Sequence, residues 1–115
     1  MTDTVEFACT FPRLYSNHPR TYMVEMARAL GLEQFERKLT VNSIYSYLIE
    51  HQELIDLWLN WSADKRSSNS WYFSENDEDW VVGYCPNGPE TLYKNKVHAC
   101  AEFVEIEIFN YLSSF

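Results

Sequence analysis

The chain is poor in glycine. With only Gly31, Gly83 and Gly88 it cannot build a glycine-rich loop to cradle phosphates, which removes the common nucleotide-binding designs. Cysteine is equally scarce. Cys9, Cys85 and Cys100 are odd in number and far apart, unsuited to a disulfide framework, so three reduced thiols are expected. No apolar run approaches the roughly 20 residues that cross a bilayer. Met1 is followed by the polar Thr2, Asp3 and Thr4 rather than by a charged and then apolar leader, so a cytoplasmic protein acting away from membranes is expected.

Basic residues are also few. Lys and Arg total 9 against 17 Asp and Glu, a net charge of −8. Residues 1–66 hold 9 acids and 7 bases, or −2, whereas residues 67–115 hold 8 acids and 2 bases, or −6. A field of that sign repels phosphate backbones and argues against direct nucleic-acid binding, while it attracts a basic protein. The plainer account of the same acidity is solubility.

Apolar residues make up 46% of the chain and aromatics 17%, enough for a packed core, and 115 residues leave room for one domain, 1–115. Residues 4–11 read either as a strand, with Val5, Phe7, Cys9 and Phe11 alternating, or as a helix, and the helical neighbours favour helix. Pro12 is expected to end that element. Ser16 or Asn17 can cap a helix beginning near Pro19, carrying Tyr22, Met23, Met26, Ala27 and Leu30 and stopped by Gly31, with a further helical turn over 32–39. Thr40 can cap the longest element, one helix from 41 to about 61, in which Val41, Ile44, Tyr47, Leu48, Ile55, Trp58 and Leu59 fall in one arc.

After a loop over 62–70 come three strand-like runs, 71–73, 80–85 and 90–93. The last two are joined by a turn of Pro86, Asn87, Gly88 and Pro89. The middle run has apolar side chains on both faces, so one face must meet helices and the other is covered or offered to a partner. Asn95 can cap a final helix from 97 to about 112 whose apolar residues nearly encircle it, which places it either inside the domain or against another molecule. The expected fold is α+β, with N-terminal helices and a C-terminal helix packed on a small three-stranded antiparallel sheet.

Catalytic patterns are missing. His51 falls in the apolar arc of its helix with no acid or nucleophile at a telling spacing, and a half-buried hydrogen-bonded histidine explains it more simply. His98 and Cys100 lie two apart, roughly 200° apart around a helix, without the further ligands a closed zinc site needs. Pairing Cys9 or Cys85 with His18, His51 or His98 as nucleophile and base has no local signature to support it. Neither a metal, a cofactor nor an enzymatic activity is expected.

The sharpest feature is Trp71 to Tyr93. Glu75, Asp77, Glu78 and Asp79 crowd one end of a hairpin, preceded by Trp71, Tyr72 and Phe73 and followed by Trp80. Carboxylates on a rigid strand pair offer acceptors to Arg and Lys, and adjoining aromatics supply contact area at low entropy cost. Expected partner contacts are Glu75, Asp77, Glu78, Asp79 and Trp80, then Tyr72 and Glu102. The plainer reading is a solvated turn.

Leu57, Trp58, Trp61, Ser62, Asp64 and Arg66, followed by WYF at 71–73, VGY at 82–84 and HACAEFVEIEI at 98–108, resemble a group of small bacterial immunity proteins of toxin-immunity loci, including contact-dependent growth inhibition. The likeness covers about half the chain and carries no catalytic signature. It implies a cytoplasmic monomer or weak dimer that protects its producer by binding a cognate toxin domain, often a basic nuclease. Two other readings remain open from the residues: an acidic mimic of nucleic acid that inhibits a DNA-binding protein, and an adaptor that self-associates through Phe103, Ile106 and Phe109.

Overall fold

The computed structural model describes residues 4–17, 25, 40–65 and 70–113. In chain order these form α1 (Thr4–Cys9), α2 (Phe11–Asn17), α3 (Val41–Glu50), α4 (Glu53–Lys65), β1 (Ser70–Asn76), β2 (Asp79–Cys85), β3 (Glu90–Tyr93) and α5 (Lys96–Ser113). The strands make one antiparallel sheet in the order β1-β2-β3, and helices pack on it, giving the expected α+β architecture. The helix expected near 19–30 and the turn at 32–39 lie outside the described residues, Glu25 excepted.

The ambiguous start of the chain is helical. Thr10 separates it from the next helix: its amide completes the last turn on the Glu6 carbonyl at 3.0 Å, and its hydroxyl donates to the same carbonyl at 2.7 Å. The Thr10 carbonyl then accepts from Arg13 and Leu14 and starts α2. Pro12 therefore does not end an element, as expected, but sits in the first turn of α2, where its missing N–H has no helical partner. Ser16 and Asn17 close α2.

The single helix expected from 41 to about 61 is two. Thr40 and Ser43 form a reciprocal capping box at the start of α3. At the other end His51 leaves the helical region at φ −138°, ψ 56°, and Gln52 Nε2 donates to the Ile49 carbonyl. No glycine or proline causes this break; the packing does. An unbroken helix of that length would run about 32 Å, at 1.5 Å per residue. Turning at 51–52 instead lets Ile44 and Leu48 of α3 and Leu54, Ile55 and Trp58 of α4 enter the same core. Nor is the expected loop over 62–70 all loop, since α4 continues to Lys65 and β1 begins at Ser70.

Helix α5 is the centre of the molecule. Asn95 caps it as expected, its Oδ1 accepting from Val97 and His98 at 2.8 and 3.1 Å. Its nearly encircling apolar surface is explained by its neighbours: α3, α1 and α4 pack on one side and the sheet on the other. Val97, Ala99, Cys100, Ala101, Phe103, Val104 and Ile108 are all buried. Trp58 reaches across the core to donate its indole N–H to the Cys9 carbonyl at 2.8 Å, satisfying an acceptor left over at the C-terminal end of α1.

Register fixes the two faces of the sheet. Trp71 opposes Tyr84, Phe73 opposes Val82 and Glu75 opposes Trp80, so these six share the face toward α5, where Phe73 meets Phe103 at 5.7 Å. Tyr72, Val81 and Gly83 lie on the opposite face and are also buried, so the chain itself covers the middle of that face. The outer edge of β1 is closed by α4, whose buried Ser62 hydroxyl accepts from the Phe73 N–H at 2.8 Å.

Candidate partner-binding surface

The acidic segment is less of a loop than its composition suggests. Strand β1 runs through Ser74, Glu75 and Asn76, and Asn76 pairs with Asp79, leaving only Asp77 and Glu78 to turn the chain. Asp77 adopts φ 56°, a left-handed conformation that costs most side chains about 1–2 kcal/mol and that Asp tolerates better than most. The four carboxylates are thus held on a tight, strand-supported tip.

They are not equivalent. Asp79 opposes Lys94 across β2 and β3, and their side chains form an ion pair at 2.6 Å. Glu75, Asp77 and Glu78 are exposed, and among the described residues no cation pairs with them. Trp80 is half-buried, 5.9 Å from Phe73 and with the Lys96 ammonium 5.5 Å from its ring centre. It joins the tip to the core and leaves one flank open beside Glu75. Tyr72 is different: it is 8% exposed and lies over Gly83, where a Cβ would sit 2.8 Å from the Tyr72 hydroxyl. Its role in the sheet is to cover the backbone, and little of it faces solvent.

Glu102, the remaining expected contact, lies on α5 behind Tyr93, the register partner of Trp80. On α5 it lies 3.5 Å from His98 Nε2, one turn away, in a second polar cluster with Tyr93, Glu105 and the start of α3. Burial, and then the Glu102 charge, raises Tyr93 above the usual tyrosine range. Burial, then Glu102, likewise holds the Glu105 carboxyl above the usual carboxylate range, although a hydrogen bond with the Val41 backbone at the N-terminal end of α3 opposes the shift. Beside this cluster Asn95 Nδ2 donates to Tyr45 Oη at 3.0 Å, over an open hollow of about 300 Å³ lined by Val41, Asn42, Tyr45, Asn95 and His98. The i,i+4 spacing of His98 and Glu102 was the available signal for it. The approach of α3 had none.

A third polar feature was missed entirely. Glu107 is buried at 9% exposure on the otherwise apolar side of α5 and accepts from the Trp61 indole at 3.1 Å. Phe11, Trp61 and Tyr111 line one hollow with it, Phe11 meeting Trp61 and Tyr111 edge-on with ring centres 5.7 and 4.7 Å apart. Only the unusual presence of an acid among buried positions of α5 could have announced it.

Of the two candidate nucleophiles, Cys9 is buried and Cys85 half-buried, and His18 lies outside the described residues. Burial, and secondarily the neighbouring Cys9, pushes the Cys100 thiol far above its ordinary range, so it stays protonated. Cys9 is fully buried, and the described residues, which include all three cysteines, contain no disulfide. His51 stacks on Tyr47 at 4.3 Å with Glu53 3.8 Å from Nδ1, an arrangement at a helix end. Among the described residues no group of three or more His, Cys, Asp or Glu side chains is placed to hold a metal ion, and no helix is long and apolar enough to cross a membrane.

In comparisons with known proteins, no family model matches the chain, and no curated protein or solved structure shows significant similarity to it. The functional reading therefore rests on the arrangement described above.

Proposed function

We propose that this protein is an immunity protein that neutralises a cognate toxin domain, a basic nuclease, by stoichiometric binding through the β1–β2 tip. One observation carries this reading. Glu75, Asp77 and Glu78 project from a rigid strand pair without a described cation, in the half of the chain where acids outnumber bases by 8 to 2. A solvated turn has no need to concentrate like charges that repel one another. A surface that meets Arg and Lys gains from them both faster association and register. Trp80 adds an aromatic flank already fixed by Phe73 and Lys96, so little side-chain entropy is lost when it is covered. On a nuclease, the carboxylates would take the place of substrate phosphates and leave the reacting centre without access to nucleic acid.

The test is protection. A basic nuclease domain captured by this protein is expressed alone and together with it, and growth is followed. Co-expression is expected to restore growth, and a variant with Asp77→Lys and Glu78→Lys is expected to fail while accumulating to the same level. Restored growth with that variant would remove the tip from the interface, and no protection by the wild type would remove the immunity reading.

A further inference from the structure

The two outer edges of the sheet are in opposite states. On β1 the outward Phe73 N–H is taken by Ser62. That bond also sets the hydrogen-bonding phase of the whole sheet: Phe73 and Val82 do not exchange backbone bonds, so Val82 turns its backbone toward Thr91. The Tyr84 N–H donating to the Pro89 carbonyl at 3.0 Å has the same phase. The amide and carbonyl groups of Glu90 and Leu92 therefore point away from the sheet. No described element pairs with them, and Glu90, Thr91, Leu92 and Lys94 are exposed, Leu92 to 55%.

From this edge we infer that β3 pairs antiparallel with β3 of a second copy, across a two-fold axis at Leu92. The sequence Glu90-Thr91-Leu92-Tyr93-Lys94 is complementary to itself in that register alone. Leu92 faces Leu92, Thr91 faces Tyr93, and Glu90 faces Lys94 of the second copy, twice over. Leu92, Glu90 and Lys94 share one face, and Thr91 and Tyr93 the other, as the pairing with Val81, Gly83, Val82 and Trp80 requires. Opposite residues in an antiparallel ladder touch, so each position gains a partner of suitable chemistry, and Leu92 loses its exposure. A parallel pairing would instead set Glu90 against Glu90. Charged ends on a short edge usually repel strangers, but here their opposite signs make the edge specific for itself.

The net charge of −8 on each copy opposes the pairing at long range. At physiological ionic strength that repulsion is screened over about 8 Å, whereas the contact pairs are not. An interface this small gives a weak dimer, formed over roughly 10 μM to 1 mM protein. Lys94 also holds Asp79 of its own chain at 2.6 Å, so the edge touches the β1–β2 tip through that pair alone, and Glu75, Asp77 and Glu78 are not part of it.

Sedimentation velocity over that concentration range is the test. The wild type is expected to shift from monomer toward dimer. Leu92→Asp and Glu90→Lys, both at exposed positions, should each remain monomeric or dimerise about tenfold more weakly, with unchanged circular dichroism. Lys94→Glu should weaken association as Glu90→Lys does, and because it also sets a carboxylate beside Asp79 its unfolding is measured alongside. Mixing the Glu90→Lys and Lys94→Glu variants pairs Lys with Glu at both ends and should restore association as a heterodimer. A strict monomer at the highest concentration, a dimer that Leu92→Asp leaves intact, or a mixture that stays monomeric would overturn the inference.

Discussion

The two hairpins share β2 and divide its surroundings in opposite ways. In the first, β1–β2, the outer edge is sealed by Ser62 and the tip is crowded with exposed charge. In the second, β2–β3, the outer edge is open and the turn is satisfied from within, with Gly88 donating to the Tyr84 carbonyl at 2.8 Å and Tyr84 donating to Pro89. A turn that satisfies itself is structural. A tip that sets like charges together on fixed strands costs stability locally and offers a surface in exchange, so the first hairpin is where a partner is expected.

That comparison can be broken at several points. The largest effect expected is on binding: Asp77→Lys with Glu78→Lys should weaken the complex by about a hundredfold, measured by titration calorimetry, because attraction becomes repulsion at the contact. Stability should fall by no more than about 1 kcal/mol, since both side chains are exposed and unpaired in the described structure and the cost comes from lysine fitting the left-handed backbone at residue 77 less well than aspartate.

The second turn should respond in the opposite sense. A Cβ at Gly88 would lie 2.5 Å from Tyr84 Cβ and 2.9 Å from the Tyr84 carbonyl oxygen, so Gly88→Ala forces the turn to move. A loss of about 2 kcal/mol in denaturant unfolding is expected, with partner affinity retained. At the sealed edge, Ser62→Ala leaves the buried Phe73 amide without its acceptor and should cost about 1–3 kcal/mol by the same measurement.

Returning to the tip, Asp77→Gly relieves the left-handed backbone and should stabilise the fold by up to about 1 kcal/mol. It also removes one carboxylate, so stability rises while affinity falls, a pairing of effects that a purely structural turn would not give.

The smallest effect is a control away from both hairpins. Burial and Glu102 raise the Glu105 carboxyl above its usual 4.5, so the native state holds that proton more tightly than the unfolded chain does. Its favourable contribution is complete below pH 4.5 and is lost as pH rises through the raised value. Glu105→Gln should therefore melt with the wild type at pH 4 and slightly above it at pH 7. A variant equally shifted at both values would point to packing instead of charge.

Much of the fold was legible because local signals and packing agree there. Asn95 caps α5, Thr40 caps α3, and the turn of Pro86 to Pro89 ends β2, each for the reason its chemistry suggests. The break at His51 and Gln52 was not legible, since nothing in the local sequence disfavours helix and the cause is the shape of the core. The same holds for Thr10, which separates α1 from α2 within an apparently continuous run. At the site, the four tip carboxylates could be read as a group, but the removal of Asp79 by Lys94 depends on register across β3, and the burial of Tyr72 on the approach of Gly83. Glu102 could be read as a charge on α5, but its place beside His98 and Tyr93 depends on how α5 meets β3. Phe103, read as one face of a self-associating surface, is fully buried between Phe73 and Trp58, because α5 runs through the middle of the molecule and not along its side.

The most direct test of the central claim is a comparative capture. Tagged wild type and a tagged variant carrying Glu75→Gln, Asp77→Asn and Glu78→Gln are exposed to lysate of the source cell, washed at low and then high salt, and the retained proteins identified by mass. The account predicts one basic protein held by the wild type, released by salt, and missing from the variant. The same protein held equally by both, or retained through the high-salt wash, would contradict it.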